Sequence, residues 1–238
     1  MIACPGTNSM KDSSVHVSVV IPMLNESAVL DLILESWRTL ELSGAEVLIV
    51  DGGSTDGSLE AVQKAGFQVF SAPRGRARQM NTGAQIAQGD ILLFLHADTR
   101  PPSEVLQHLQ QGLKNSERVW GRFDVHIEGR AWMLPIIAFF INLRSRLSGI
   151  ATGDQGIFVR RETFLQIGGF PDQPLMEDIE ISKSLLTLGK PLCLKHKLQT
   201  SGRRWETRGV WRTIFLMWRL RWAYWRGASP QDLARAYR

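Results

Sequence analysis

Four short apolar runs, each closed by a polar turn and separated by helix-like stretches, restrict this chain more than any other feature. VSVVIP (17–22), AEVLIV (45–50), FQVFSA (67–72) and DILLFLHA (90–97) are strand-length and rich in Val, Ile, Leu and Phe. Between the first two, Val29, Leu30, Ile33, Leu34, Trp37 and Leu40 mark one face of a helix. In the turn DGGSTDGS, Ser54, Thr55 and Asp56 offer caps for a short helix to about Lys64. A third helical stretch runs from about Arg76 to Ala87, and Pro101-Pro102 suits the first turn of a fourth. Apolar strands alternating with amphipathic helices predict an α/β fold, with a mostly parallel sheet covered by helices on both faces.

Such sheets bind ligands at the carboxyl ends of their strands. Asn25 and Glu26 follow the first strand, Asp51 ends the second, and His96 and Asp98 end the fourth, so these polar groups should gather at one edge. Asp98 has two readings: a carboxylate for Mg2+ or Mn2+, or a cap for the helix near Pro101. Further on, VWGRFDVHI (119–127) and GIFVRR (156–161) read as strands, 130–148 as a helix, and GGFPDQP (168–174) as a turn. A helix then starts near Glu177, with Ile181, Leu185 and Leu188 on its apolar face. Glu177 and Asp178 in its first turn either complement the helix dipole or supply a general base, while Glu180 belongs with the dipole reading.

Charge is uneven within the net +5: from Lys183 onward, thirteen Lys or Arg stand against Glu206 and Asp232. A region so basic suits an anionic partner, a diphosphate or lipid headgroups, or is a solvated face. Cys4 and Cys193 make no disulfide framework and have no metal-ligand spacing. Residues 1–14 carry no secretory signal and read as a disordered tail in which Met10 is a second candidate start, with a cytoplasmic body following. AWMLPIIAFFINL (131–143) falls short of the roughly 20 residues that span a bilayer, leaving a dipping or interfacial placement open.

The ordered set VSVVIPMLNE, IVDGGSTDGS, NTGAQIAQGDILLFLHADT, GDQGIFVRRETFLQIGGFP and MEDIEIS resembles family-2 glycosyltransferases of the GT-A fold, over about residues 17–188. GRARQMNTGA, PLMEDIE and SGRRWETRGV further resemble a bacterial subgroup labelled arsenosugar-biosynthesis glycosyltransferases, a label that names a pathway rather than a substrate. The resemblance implies a Rossmann-like sheet, a nucleotide-sugar donor and a divalent metal, Mn2+ or Mg2+. It places Asp51 on the nucleotide base, and Pro22, Asn25 and Glu26 in the base and ribose pocket. It makes Asp98 the metal ligand and Asp178, beside Glu177, the catalytic base of a single inverting displacement. Gly153, Asp154 and Gln155 would line the sugar or acceptor side, and Arg203, Arg204 and Trp205 would meet the diphosphate. Three positions depart from the family pattern. His96 replaces the first acid of Asp-x-Asp, its imidazole still able to ligate Mn2+. Met80-Asn81-Thr82-Gly83 replaces Arg-Asn-x-Gly, leaving Arg78 as a displaced nucleotide contact. Gln199 stands too far from Arg203-Arg204-Trp205 for the Gln-x-x-Arg-Trp signature of processive enzymes.

These readings divide the chain into a tail (1–14), a GT-A domain (15–199, donor half to about 100) and a C-terminal helical extension (200–238). In the extension, Trp211, Ile214, Phe215, Trp218, Trp222 and Trp225 share one helix face; Arg212, Arg219 and Arg226 flank it on one side and Arg221 on the other. Leu216, Leu220 and Tyr224 lie opposite. An aromatic stripe edged by arginines fits membrane-surface contact through 208–226, on the inner face of the cell membrane, or packing against the body; nothing else here reads nucleic acid. The sequence therefore predicts a metal-dependent, inverting, non-processive glycosyltransferase. It would move sugar from a nucleotide-sugar, UDP-linked by preference, to a hydroxyl on a small-molecule or lipid acceptor. The alternative is a nucleotide-sugar-binding protein that has lost turnover.

Overall fold

The computed structural model describes residues 15–237; the tail reading for 1–14 lies outside them. The apolar runs form β1 (Val17–Met23), β2 (Glu46–Asp51), β3 (Val69–Ser71) and β4 (Ile91–Phe94), joined by α1 (Ser27–Leu42), α2 (Ser58–Lys64) and α3 (Arg76–Ile86). They pair in parallel in the order β3-β2-β1-β4. Successive β1 residues serve opposite faces. Val19 and Ile21 pack on Leu30, Trp37 and Leu109, whereas Val20 packs on Met80 and Ala84 of α3. The α3 helix lies so close that a Cβ on Gly83 would sit 2.3 Å from Val20 Cγ1, so no larger residue fits there.

The second half extends the sheet with reversed strands. β7 (Ile157–Arg160) runs antiparallel to β4, β6 (Trp120–Glu128) antiparallel to β7, and β8 (Leu192–Ser201) parallel to β6; β5 (Thr99–Arg100) closes on β8. The fourth helix, α4 (Val105–Lys114), has Glu104 at its N-cap, so Asp98 does not cap it. α2 begins after a left-handed Gly57 rather than on the anticipated caps, and Asp56 accepts from Ser58 N and Ser27 N instead. α5 (Leu134–Ser148) lies on β6; α6 (Arg161–Gln166) and α7 (Glu177–Leu186) cover the α3 face. Leu188, anticipated on the apolar face of α7, lies beyond its end and is exposed.

α8 (Arg203–Arg208), α9 (Val210–Trp225) and α10 (Pro230–Tyr237) pack on the body. Val210 and Ile214 join a cluster with Leu134, Ile137 and Ala138 of α5, whereas Leu220 and Leu233 enclose Met176 just ahead of α7. The inner side of α9 is thus core. Its outer side leaves Trp211, Phe215, Trp218, Trp222 and Trp225 between 58% and 81% exposed.

Candidate active site

The turns after β1 and β2 are stitched together. Asn25, in the left-handed region at φ 56, accepts from Thr55 N through Oδ1 at 2.8 Å and donates its own N–H to Ser54 Oγ at 3.0 Å. Glu26 N donates to Ser58 Oγ at 2.8 Å. Asp51 is buried and accepts from Gly53 N at 2.8 Å and from the amide and hydroxyl of Ser54, so much of its accepting capacity shapes this turn. Gln79, buried on α3, donates from Nε2 to Met23 O (2.7 Å) and Val50 O (2.8 Å), fixing the ends of the two strands. No periodicity marks it, because its role depends on two carbonyls distant in sequence. Pro22 is buried within β1, which leaves Asn25 and Glu26 as the residues that meet solvent.

Just past β4, His96 lies beside a 3-10 turn, Gly153–Gln155. Its Nδ1 sits 3.0 Å from Asp154 Oδ1, and a Cβ on Gly153 would meet its Nε2 at 2.1 Å, so the ring lies directly over the glycine. His96, proposed above as a metal ligand, is oriented here by Asp154 and Gly153. Burial alone would raise Asp154, but the His96 hydrogen bond and charge, with Arg76 and Arg204, hold it below its ordinary value. Gln155 is fully buried; its side chain accepts from Thr152 N at 3.2 Å and donates to Asn142 Oδ1 at 3.3 Å, which shapes the turn rather than facing a ligand.

Asp178 joins this turn to α7. Its Oδ2 accepts from Gly153 N at 3.1 Å and its Oδ1 from Ile179 N at 2.8 Å. Burial first, then the charge of Glu177, pushes its pKa up to about 6, against those two donors and Arg76. Glu180, four-square to the dipole reading by position, also accepts from Tyr224 (2.6 Å) and Lys183 (2.6 Å), anchoring α9 to α7.

Arginines edge the cleft. Arg76 lies 3.8 Å from Glu177 and Arg203 3.7 Å from Glu26. Arg204 stacks on Tyr237 at 3.6 Å, and burial, then Arg208 and Arg76, lowers it to about 10. Arg78 turns away to a bidentate pair with Asp172 (2.7 and 2.9 Å); Arg76, two residues earlier on α3, is the arginine that meets Glu177. Trp205 packs into the α5 cluster instead of the cleft.

Glu26 bears on metal binding. Its Oε2 is buried with no hydrogen bond, and burial, then the charge of Asp98, raises its pKa. Two mutually repelling carboxylates fit a divalent cation, although Arg203, Arg76 and His96 offset part of that repulsion. Among the described residues no group of three or more His, Cys, Asp or Glu forms a cage. That suits a cation held by one or two carboxylates with the rest of its shell supplied by phosphate and water.

The family model for glycosyl transferase family 2 matches residues 18–168. A probable glycosyltransferase of Bacillus subtilis strain 168, YdaM, is 27% identical over 239 residues, covering 89% of this chain and 54% of its own. An undecaprenyl-phosphate 4-deoxy-4-formamido-L-arabinose transferase of Pseudomonas aeruginosa strain LESB58 is 31% identical over 157 residues, 60% of this chain and 46% of its own. The chain thus spans about half the length of these relatives. Among solved structures, the mannosyltransferase PcManGT of Pyrobaculum calidifontis, in complex with GDP-Man and Mn2+, aligns with a TM-score of 0.62 at 21% identity, covering 93% of this chain and 68% of that one. TarS 1–349 of S. aureus in complex with UDP aligns at 0.62 and 19% identity, over 78% and 60%. With its strand order, the stitched turns after β1 and β2 and its matched segment in agreement, this chain belongs to glycosyl transferase family 2 and has the GT-A fold.

Proposed function

We propose that the chain transfers a sugar from a nucleotide-sugar to an acceptor hydroxyl with inversion, in single rather than processive additions. The observation that carries this is Asp178: a carboxylate with a pKa raised to about 6, fixed by two backbone N–H groups, in the cleft that also holds Glu26, Asp98 and Arg76. Ionised at neutral pH yet close to the operating range, it suits a general base. The acceptor oxygen attacks the anomeric carbon as its proton passes to Asp178. The bond from that carbon to the donor diphosphate breaks, and its electron pair leaves on the diphosphate oxygen. Arg76, Arg203 and Arg204 hold that charge. Asp98, with Glu26, would hold Mn2+ or Mg2+, which neutralises the leaving diphosphate when bound. Asp51 and Asn25 face the base and ribose, Gly153 and Asp154 the sugar.

Calorimetric titration of UDP with and without Mn2+, on wild type and Asp98→Ala, tests this. Metal-dependent binding lost in the variant is expected; a folded wild type that binds neither UDP nor GDP refutes the donor reading. A protein that binds nucleotide but turns over no acceptor would instead be the inactive binder.

The exposed aromatics of α9, edged by Arg212, Arg219 and Arg226, support a second element, contact with an anionic membrane surface. No helix among the described residues is long and apolar enough to cross a membrane. Flotation with anionic liposomes should carry the protein upward; material that stays at the bottom rejects the contact.

A further inference from the structure

Resting on that reading of α9, we propose that α5 is a second leg of the same docking surface. The two helices together seat their apolar faces in the acyl layer of an anionic phospholipid membrane. α5 is apolar on two sides. Leu134, Ile137 and Ala138 are buried against Val125 and Ile127 of β6. On the opposite side Ile136, Phe140, Leu143 and Leu147 follow one another at four, three and four residues, so they form one stripe. With the bordering Phe139 they are between 37% and 80% exposed, and Trp132, just ahead of the helix, is 77% exposed. A single exposed leucine is ordinary, but six large apolar side chains together mark a contact surface.

The exposed sides of α5 and α9 adjoin. Val210 and Ile214 of α9 pack in the α5 cluster, and each is followed directly by a member of the aromatic stripe, Trp211 and Phe215. One residue is about 100° around a helix, so the stripe begins beside the edge of α9 that touches α5. Beyond it, next to Phe215, a groove of about 620 Å³ is lined by Arg208, Arg212 and Arg219. Charge identifies the occupant. Residues 129–152 and 207–231 contain arginines and no Asp or Glu. A second copy meeting this face about a two-fold axis would set arginine against arginine. An anionic phospholipid supplies phosphate to the guanidinium groups and acyl chains to the apolar stripes at once. Tryptophan is enriched where headgroup meets hydrocarbon, and Trp132, Trp211, Trp218, Trp222 and Trp225 stand on this surface.

The test floats the full chain with vesicles of phosphatidylcholine, alone or with phosphatidylglycerol, at low and at high salt. Wild type should float with the anionic vesicles and keep part of that binding at high salt, because salt screens charges and not apolar insertion. Phe140→Ser with Leu147→Ser, both exposed on α5, should weaken partitioning by about tenfold or more, while UDP affinity and melting temperature hold. Arg212→Gln with Arg219→Gln should remove the salt-sensitive part. A second readout puts an environment-sensitive dye on Leu147→Cys in a chain carrying Cys4→Ser and Cys193→Ser. Its emission should shift to the blue on anionic vesicles. The same dye on Leu42→Cys, 82% exposed on α1, should not respond. An α5 variant that floats as wild type does, or a dye at position 147 unshifted on bound vesicles, overturns the role of α5 and leaves the α9 contact standing. Wild type that stays at the bottom with every vesicle overturns both. A dimer that the α5 variant dissociates, without vesicle binding, gives the face to a second copy instead. UDP titration reads the sugar-transfer assignment separately in each case.

Discussion

Replacing Asp178 with Asn should abolish transfer and, at pH 8, make the protein more stable. The Asp178 carboxyl moves from an ordinary 3.8 to about 6 on folding, mainly through burial and secondly through Glu177. The folded state therefore holds this proton more tightly than the unfolded chain. Its stabilising contribution is complete below the unfolded value and is lost as pH rises through about 6. At pH 8 the ionised group costs up to about 3 kcal/mol, a ceiling that partial solvent access lowers to about 2. Asn removes that charge but accepts from only one of the two N–H groups now satisfied, Gly153 at 3.1 Å and Ile179 at 2.8 Å. Losing one such bond costs about 1 kcal/mol. The net gain is about 1 kcal/mol, or about 2–4 °C for a chain of this size. At pH 4, where wild-type Asp178 is protonated, the advantage should vanish or reverse. Thermal melts of both proteins at pH 4 and pH 8 read this directly. In parallel, the acid limb of wild-type kcat/KM should fall with a pKa near 6. A variant that melts lower than wild type at pH 8 by the same margin as at pH 4, or one that retains transfer, would refute both the electrostatics and the assignment of the base.

Other perturbations separate scaffold from chemistry. Gly153→Ala places a Cβ 2.1 Å from His96 Nε2 and should cost about 1–3 kcal/mol in urea unfolding, largely recovered when His96→Ala is added; no recovery would mean that the clash lies elsewhere. Arg78→Met removes an exposed pair with Asp172 and should change stability by less than about 1 kcal/mol, with UDP affinity held within about twofold by titration. Leu220→Ala empties a fully buried site beside Met176. It should cost about 2–5 kcal/mol and lower kcat while leaving UDP binding intact, as steady-state kinetics and calorimetry together would show.

The first four strands and the turns after them were legible because their information is local. Each of β1, β2 and β4 is a contiguous apolar run, and Asn25, Glu26, Asp51, His96 and Asp98 are the residues that follow those runs. The start of α7 at Glu177 was legible for the same reason. In the second half β6, β7 and α5 were legible as well, but β8 and β5 were not. β8 exposes Lys195, His196 and Lys197, and its pairing with β6 shifts register between Phe123 and Asp124, which breaks the alternation that would have marked a strand. β5 is two residues long and exists through its partner near Thr200. Arg122 is wholly buried in β6, where alternation alone gives no reason to put a cation; it is held by Asp124 and Asn142, one of them on another element.

Met176 links the C-terminal helices to the start of α7. It adopts φ 68, a left-handed conformation that non-glycine residues avoid at a cost of about 1 kcal/mol, and it does so one residue ahead of Glu177. That turn sets the direction in which α7 starts, and so where Asp178 points. Its side chain is 4% exposed and packed among Leu220 of α9 and Leu233 of α10. Fully burying a methionine contributes about 1.5–3 kcal/mol, enough to outweigh the backbone strain. The inner face of α9 therefore holds the start of α7, and with it Asp178, in position, while Tyr224 ties the same helix to Glu180. Its outer face carries the exposed tryptophans. A helix joined to α5 at one end and to the start of α7 at the other cannot be displaced at its outer face without straining the turn that aims Asp178.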